Sequence, residues 1–255
     1  MLFGCCGSLE QAEAVHAAGF DFLEATVVSL IPESDEIAFA PILERYRALP
    51  LPVRACNVFL PGDLKLTGPA VDFARARRYV ETALPRARQI GAEVVVFGSG
   101  LARMIPDGFP RDEALAQLAA FLDMVADVAS AAGITIAIEP LNRKESNVLN
   151  SVAEGVALAQ RVNRAPIRVL ADFYHMDEEG EPLSEISRRG EWLAHIHVAD
   201  TGRLAPGTGD YPYPAFVEEL RRIGYDGMVS VECRWRDFAA EAGPAAAFLR
   251  RVFGL

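Results

Sequence analysis

Short apolar runs alternate along the chain with longer stretches in which apolar residues recur every three or four positions. The short runs predict buried β-strands, and the longer stretches predict amphipathic helices. Gly19, Gly91, Gly133 and Gly224 follow longer stretches, as is typical of helix C-termini. The predicted strands are residues 2–6, 20–25, 53–58, 94–97, 134–139, 167–172, 193–198 and 228–232. The predicted helices are residues 8–18, 36–48, 70–90, 111–132, 152–162, 183–189, 213–223 and 243–252.

Strand and helix alternate through eight units, which is typical of an α/β fold with a parallel sheet and right-handed crossovers. Eight units in 255 residues match the size of a (β/α)8 TIM barrel, in which the sheet closes on itself. No linker or low-complexity tract interrupts the pattern, so we expect a single domain over residues 1–255. An open, doubly wound sheet is the alternative, but no GxGxxG motif follows the first predicted strand.

Four side chains with metal-binding chemistry stand at or beside the ends of four successive predicted strands. They are Glu139, Asp172, His197 and Glu232, in the runs ITIAIE, IRVLAD, LAHIHV and MVSVE. Because strand C-termini line the mouth of a barrel, these side chains should converge on one point. Three carboxylates and one imidazole favour a fairly hard divalent metal ion. The sequence therefore predicts a site for Mn²⁺ first, with Mg²⁺, Co²⁺ or Zn²⁺ as alternatives.

A second histidine lies close to this set in the sequence. His195 shares the strand face of His197, because side chains alternate along a strand. It should therefore lie one layer deeper in the barrel. We interpret His195 as a core histidine rather than a ligand.

The chain is acidic and rich in apolar residues. Its formal net charge of −10 argues against a nucleic-acid partner, and its 51% hydrophobic residues favour a large buried core. The cysteines, Cys5, Cys6, Cys56 and Cys233, form no CxxC pair and are expected to be reduced thiols. Neither a signal-peptide pattern nor a membrane-spanning apolar run is evident, so we expect a cytoplasmic protein without a membrane partner.

Several motifs together resemble the sugar phosphate isomerase/epimerase superfamily, the xylose-isomerase-like barrels. The motifs are IEPLNRKES, DFYHMD, HIHVADTGR and SVEC, and within the superfamily they look most like ketose 3-epimerases of the tagatose and allulose epimerase type. The resemblance implies a divalent ion, commonly Mn²⁺, held by Glu139, Asp172, His197 and Glu232. It also implies that Glu139 and Glu232 act as the acid/base pair, and that the protein is a homo-oligomer, a dimer or a tetramer.

The resemblance implies three further residues that contact the hydroxyls and carbonyl of a sugar substrate. They are Glu145, His175 and Arg203, matched by their spacing from the metal-binding positions. Each has a simpler alternative in the sequence itself. Glu145 could orient a neighbouring arginine, Arg143; His175 could cap a loop; and Arg203 could pair with the aspartates at positions 200 and 210 of its own loop.

The loop after the fourth predicted strand leaves the charge of the substrate open. Gly98, Ser99 and Gly100 could offer backbone N–H groups, and Arg103 a guanidinium, to a carboxylate or phosphate. The alternative is a tight turn. The substrate is therefore expected to be a small sugar or a sugar acid.

These expectations combine into a divalent-metal-dependent isomerase acting on a sugar. One carboxylate would remove a proton next to a carbonyl, and an enediolate stabilised by the metal would be reprotonated on its other face, giving ketose 3-epimerisation. Aldose–ketose or hydroxypyruvate-type isomerisation and inosose-type dehydration use the same intermediate and stay as alternatives. A non-catalytic sugar-binding or partner subunit is an alternative of a different class. Endonuclease IV shares the barrel, but its metal site needs more than the four histidines present, and DNA binding suits the acidic charge badly.

Overall fold

Eight parallel strands close into a barrel in the order of the sequence. The structure is a computed structural model and describes residues 1–254. Strand β1 pairs with both β2 and β8, which closes the barrel, so the predicted (β/α)8 TIM barrel is confirmed. The strands are β1 (Leu2–Cys6), β2 (Phe22–Thr26), β3 (Val53–Asn57), β4 (Val94–Phe97), β5 (Thr135–Ile138), β6 (Ile167–Asp172), β7 (Leu193–Val198) and β8 (Met228–Val231).

Helices connect successive strands around the outside of the barrel. They are α1 (Ala12–Ala17), α2 (Glu36–Arg47), α3 (Phe73–Gln89), α4 (Gly100–Arg103), α5 (Arg111–Ala132), α6 (Val152–Val162), α7 (Phe173–Glu178), α8 (Ser184–Arg188), α9 (Tyr213–Arg222) and α10 (Phe238–Phe253). Short 3-10 turns cover Leu9–Gln11, Val27–Leu30, Gly190–Trp192 and Thr201–Arg203. All of the predicted strands and helices are present, whereas the short helices α4 and α7 were not predicted.

The start of the last helix was predicted wrongly. Helix α10 begins at Phe238, not at residue 243. The side chain of Asp237 accepts a hydrogen bond from the backbone N–H of Ala240 and so provides the N-cap. The helix therefore starts at its cap, ahead of the apolar periodicity from which its start was predicted.

Inward-facing side chains fill the barrel in two layers of different chemistry. The layer nearer the strand N-termini is apolar and consists of Phe22, Ala55, Val94, Ala137, Leu170 and Met228. Side chains two positions further along the same strands face the same way. That second layer is largely polar, because it holds Glu24, Asn57, Asp172 and Ser230 beside Val96. The polar layer lies directly beneath the mouth.

One glycine in β1 is required by this packing. A Cβ atom at Gly4 would collide with the ring of Phe22, which is fully buried in the barrel interior. Glycine therefore lets the aromatic ring fill the apolar layer.

Helix α5 is long and apolar enough to cross a membrane by length and composition alone. In the structure it is an outer helix of the barrel. Its apolar face, with Leu118, Phe121 and Val125, is fully buried in the main hydrophobic core. Its composition is that of an amphipathic helix packed on a sheet.

Candidate metal and substrate site

The four strand-end residues converge at the C-terminal mouth of the barrel. Glu139, Asp172, His197 and Glu232 each offer one ligand atom, and these atoms lie within 4.8 Å of one another. The Nδ1 atom of His197 is 3.2 Å from Oε1 of Glu139, 4.0 Å from Oδ2 of Asp172 and 3.7 Å from Oε2 of Glu232. Three of the four residues are buried and Glu232 is partly buried. A cation among them would offset the repulsion of three carboxylates.

One carboxylate oxygen of Asp172 accepts hydrogen bonds, and the other has no hydrogen-bond partner among residues 1–254. Its Oδ1 atom accepts hydrogen bonds from the backbone N–H groups of Tyr174 (2.7 Å) and His175 (3.3 Å), which starts α7 at the rim. Its Oδ2 atom is buried and has no hydrogen-bond partner among residues 1–254. A buried, unpaired carboxylate oxygen is unfavourable unless a cation lies beside it. The donor set and this oxygen both fit a divalent metal.

The loop after β4 leaves space for the carboxylate of Glu139 and binds the backbone carbonyl of the same residue. A Cβ atom at Gly98 would collide with Oε2 of Glu139, so glycine lets that carboxylate reach the mouth. The guanidinium of Arg103 is fully buried and donates to the carbonyl oxygens of Phe97 (2.9 Å) and Glu139 (2.7 Å). Burial lowers the pKa of Arg103 to about 10.

The suggestion that Arg103 binds an anion is therefore wrong. Two of its nitrogens face carbonyl oxygens at the strand ends, and the side chain is sealed from solvent. Ser99 adopts a left-handed backbone with φ of 39°, so the segment forms the tight turn that was the alternative.

A glutamate that was not singled out in the sequence lies beneath the four side chains Glu139, Asp172, His197 and Glu232, which are called the metal cluster below. Glu24 is fully buried in β2, with Oε1 2.9 Å from Nε2 of His197 and Oε2 2.8 Å from Nε2 of His195. Because Glu24 occupies Nε2 of His197, the Nδ1 atom faces the other carboxylates. His195 is completely buried and also lies 3.3 Å from the hydroxyl of Ser230, as expected of a core histidine. A charged residue inside the apolar strand FLEAT was the available signal.

The pKa values of the carboxyl groups at the site are shifted in different directions. Burial raises the pKa of Glu24, but two facing imidazoles outweigh it and hold this pKa below its usual range. Burial also raises the pKa of Glu232, yet His197 and Arg203 bring it down to about 2. The pKa of Glu139 stays raised, because burial and the nearby charge of Glu232 outweigh its hydrogen bond to His197. Burial lowers the pKa of His197, but Glu24 and the other two glutamates raise it well above its usual value.

Arg203 joins the rim of the mouth to two carboxylates. It ends the turn Thr201–Arg203 after β7, with a left-handed φ of 62°. Its guanidinium donates to Oε1 of Glu145 at 3.0 Å and to Oε2 of Glu232 at 2.6 Å. It also lies over the ring of Tyr174, 5.0 Å from the ring centroid. Arg203 therefore couples the loop after β5 to the end of β8.

Two of the simpler alternatives for the rim residues are wrong. Arg203 does not pair with the aspartates of its own loop in the described chain, and Asp200 instead accepts hydrogen bonds from backbone N–H groups. Glu145 does not orient Arg143, which pairs with Glu179.

His175 fastens the loop after β5 and also presents a free donor. Its Nδ1 atom accepts a hydrogen bond from the backbone N–H of Asn142 at 3.1 Å, so the loop-capping alternative is realised. A ring nitrogen that accepts carries no hydrogen, so the hydrogen lies on Nε2. This Nε2 atom is buried without a partner in residues 1–254 and lies 3.9 Å from Oδ2 of Asp172.

The closed barrel and its carboxylate–histidine mouth define the class of protein. The sequence profile of the family described as "Xylose isomerase-like TIM barrel" matches residues 12–252, and the chain belongs to this family. The resemblance found in the sequence is thereby confirmed.

Several of the individual relatives are sugar epimerases. A ketose 3-epimerase of Arthrobacter globiformis is 39% identical over 119 residues, which cover 46% of this chain and 41% of that protein. That match thus spans less than half of the relative. An L-ribulose 3-epimerase of Methylomonas sp. (strain DH-1) is 30% identical, and the match covers 98% of this chain and 93% of that protein. A crystal structure of D-psicose 3-epimerase in the presence of D-fructose has the same fold, with a TM-score of 0.87, 24% identity and full coverage of both chains.

Proposed function

We propose that this protein is a divalent-metal-dependent sugar epimerase that inverts carbon 3 of a ketose. The observation that carries the proposal is the set of four side chains Glu139, Asp172, His197 and Glu232, whose ligand atoms lie within 4.8 Å of one another at the barrel mouth. The relatives that are ketose and L-ribulose 3-epimerases support the choice of reaction.

The four residues would hold the metal ion, with Mn²⁺ as the first choice. Three carboxylates and one imidazole suit a fairly hard divalent ion. When bound, the ion supplies Lewis acidity, which polarises a carbonyl and acidifies the neighbouring C–H group.

Two glutamates on separate parts of the rim would move the proton. Glu139 follows β5 and Glu232 follows β8, so the two carboxylates approach a substrate from different directions. One carboxylate takes the proton from carbon 3, and the electron pair of the broken C–H bond leaves an enediolate. The other glutamate returns a proton to the opposite face of the same carbon, which yields the 3-epimer.

The remaining rim residues would bind and orient the sugar. Arg203 keeps Glu232 ionised through their 2.6 Å contact, and a sugar hydroxyl can accept from the same guanidinium. Glu145 offers an acceptor to hydroxyls, and Nε2 of His175 offers a buried donor. These groups recognise hydroxyls and a carbonyl. The substrate of this proposal is therefore an unphosphorylated ketose.

The test is deuterium exchange in D₂O. The Mn²⁺-loaded protein is incubated with D-psicose, L-ribulose, sugar acids and inososes, and products are followed by NMR. We expect label at carbon 3 of a ketose together with its 3-epimer. Label with a shifted carbonyl would indicate an isomerase, and label with loss of water a dehydratase. Bound metal without exchange for any compound would contradict the proposal and favour a binding role.

A matched variant tests the two-glutamate scheme. Glu232→Gln removes a proton acceptor but keeps a side chain of the same shape, so we expect metal to remain bound while turnover falls by at least about a hundredfold. Normal turnover in this variant would exclude Glu232 from proton transfer.

A further inference from the structure

Three unpartnered buried polar atoms surround the metal cluster. They are Oδ1 of Asn57, Oδ2 of Asp172 and Nε2 of His175, none of which has a hydrogen-bond partner among residues 1–254. The proposed function uses Asp172 for the metal and His175 for the sugar. It gives no role to Asn57. Buried polar groups ordinarily have a hydrogen-bond partner. The unpartnered oxygen of Asn57 therefore indicates a hydrogen bond to a bound molecule.

Asn57 lies at the site by its position in the fold. It is the last residue of β3, faces the polar layer of the barrel and is only 6% exposed. Its Nδ2 atom donates to Oε1 of Glu232 at 3.2 Å. An ionised carboxylate can only accept, so the amide must turn its nitrogen toward Glu232. The oxygen is thereby left as a buried acceptor beside a proposed acid/base group.

The backbone that follows Asn57 is firmly held. The N–H of Leu60 donates to the hydroxyl of Ser99 at 3.1 Å, and the hydroxyl of Tyr79 donates to the carbonyl of Phe59 at 2.9 Å. Phe59 is itself completely buried. The amide is thus presented by a rigid strand end, which favours a fixed contact over an adaptable one.

We propose that Asn57 is a substrate-binding residue. Its Oδ1 atom accepts a hydrogen bond from a ketose hydroxyl that is not the one at the epimerised carbon, while its Nδ2 atom holds Glu232 in position. A hydroxyl fits because it can donate to a neutral amide oxygen in a neighbourhood already crowded with carboxylates. This inference rests on the proposed epimerase function and adds a residue that determines which ketoses are used.

The experiment compares D-psicose with its 1-deoxy, 4-deoxy, 5-deoxy and 6-deoxy analogues in the Mn²⁺-loaded enzyme. The measured quantity is the ratio of kcat/KM for D-psicose to that for each analogue. In the unmodified protein we expect about a tenfold to hundredfold preference over the analogue that lacks the contacted hydroxyl. In Asn57→Ala this one ratio should fall to about one. The other ratios should stay unchanged.

Two further variants separate the roles of the amide. Asn57→Asp keeps an acceptor oxygen but repels Glu232, so the preference for the hydroxyl should persist while kcat falls. Asn147→Ala is the matched control, because both amide atoms of Asn147 are already bonded to the backbone of Ile105. All ratios should be unchanged in this control.

The outcomes distinguish the two proposals. Turnover with all ratios unchanged in Asn57→Ala would overturn the role of Asn57 and leave the epimerase function standing. A loss of Mn²⁺ affinity of about tenfold or more, with the ratios unchanged, would instead make the amide oxygen a metal ligand. No turnover of any ketose by the unmodified protein would remove the proposed function and this inference with it.

Discussion

At the residue scale, Glu24 decides which nitrogen of His197 faces the metal cluster. Its carboxylate accepts from Nε2, so Nδ1 is left as the ligand atom. Residues that orient a metal-binding histidine commonly change metal affinity about tenfold to a hundredfold when they are replaced. Glu24 is therefore as much a part of the proposed site as the four ligands above it.

Replacing Glu24 by glutamine tests this role. The amide can donate to Nε2, which would favour the tautomer with a hydrogen on Nδ1, so we expect Mn²⁺ affinity to fall about tenfold to a hundredfold. Calorimetric titration measures the change. Glu219→Gln is the control, since Glu219 is also buried but pairs with Arg222 on α9. Equal Mn²⁺ affinity in both variants would contradict the role of Glu24.

The charge of His197 predicts that metal affinity depends on pH. Without metal, Glu24 and the facing glutamates hold the pKa of His197 well above 6.5, although burial alone would lower it. A protonated ring cannot bind a metal, so a proton must leave when the ion enters. Mn²⁺ affinity should therefore increase as pH rises from 6 to 8, about tenfold per pH unit at most. Affinity that is flat over this range would show that His197 is already neutral.

At the element scale, Arg103 ties α4 to the ends of two strands. Its guanidinium donates to the carbonyls of Phe97 in β4 and Glu139 after β5, so it fixes the backbone that carries one proposed ligand. Lys65 on the preceding loop adds a bond to the carbonyl of Leu101 at 2.9 Å. The loops after β3 and β4 thus form one rigid wall of the mouth.

Arg103→Met should weaken this wall. The variant keeps much of the apolar volume but leaves the buried carbonyl of Glu139 unpaired, while the carbonyl of Phe97 keeps its bond from the backbone N–H of Glu139. We expect this to cost about 1–3 kcal/mol in the free energy of unfolding. Urea denaturation measures the loss. Arg77→Met on α3 is the control, because Arg77 is solvent-exposed and pairs only with Glu81; it should lie within about 0.5 kcal/mol of the unmodified protein. Equal stabilities would show that Arg103 is dispensable.

At the scale of the whole molecule, the metal site joins four of the eight strands. An ion bound to Glu139, Asp172, His197 and Glu232 would link β5, β6, β7 and β8 across the mouth. Binding to the folded state alone stabilises it by about 2.7 kcal/mol when the free ion is a hundred times its dissociation constant. The thermal unfolding temperature should therefore rise with added Mn²⁺ and fall again with a chelator.

Asp172→Asn should abolish this metal-dependent increase without unfolding the protein. Asparagine is as good an N-cap as aspartate, so the start of α7 is preserved while a charged ligand is lost. Asp35→Asn is the control, because Asp35 caps α2 outside the metal cluster. The control should keep the full increase. A full increase in Asp172→Asn as well would place the ion elsewhere.

The sequence determined the barrel and the four strand-end residues. Apolar runs are the direct sequence signal of buried parallel strands. Each of the four residues lies at the C-terminal end of such a run, and these ends form the mouth of a barrel. Glu139 and Asp172 could be singled out because a charge interrupts an apolar pattern at that point.

Only the tertiary structure decided which groups meet across the barrel. Glu24 and Asn57 belong to β2 and β3, far in sequence from His197 and Glu232, and their contacts arise when the sheet closes. For Arg103 the local pattern was misleading. A guanidinium in a glycine-rich loop suggested an anion site, but the folded structure buries it against backbone carbonyls. Local patterns record burial and periodicity. The partner of a buried polar group is set by distant strands, which no local pattern contains.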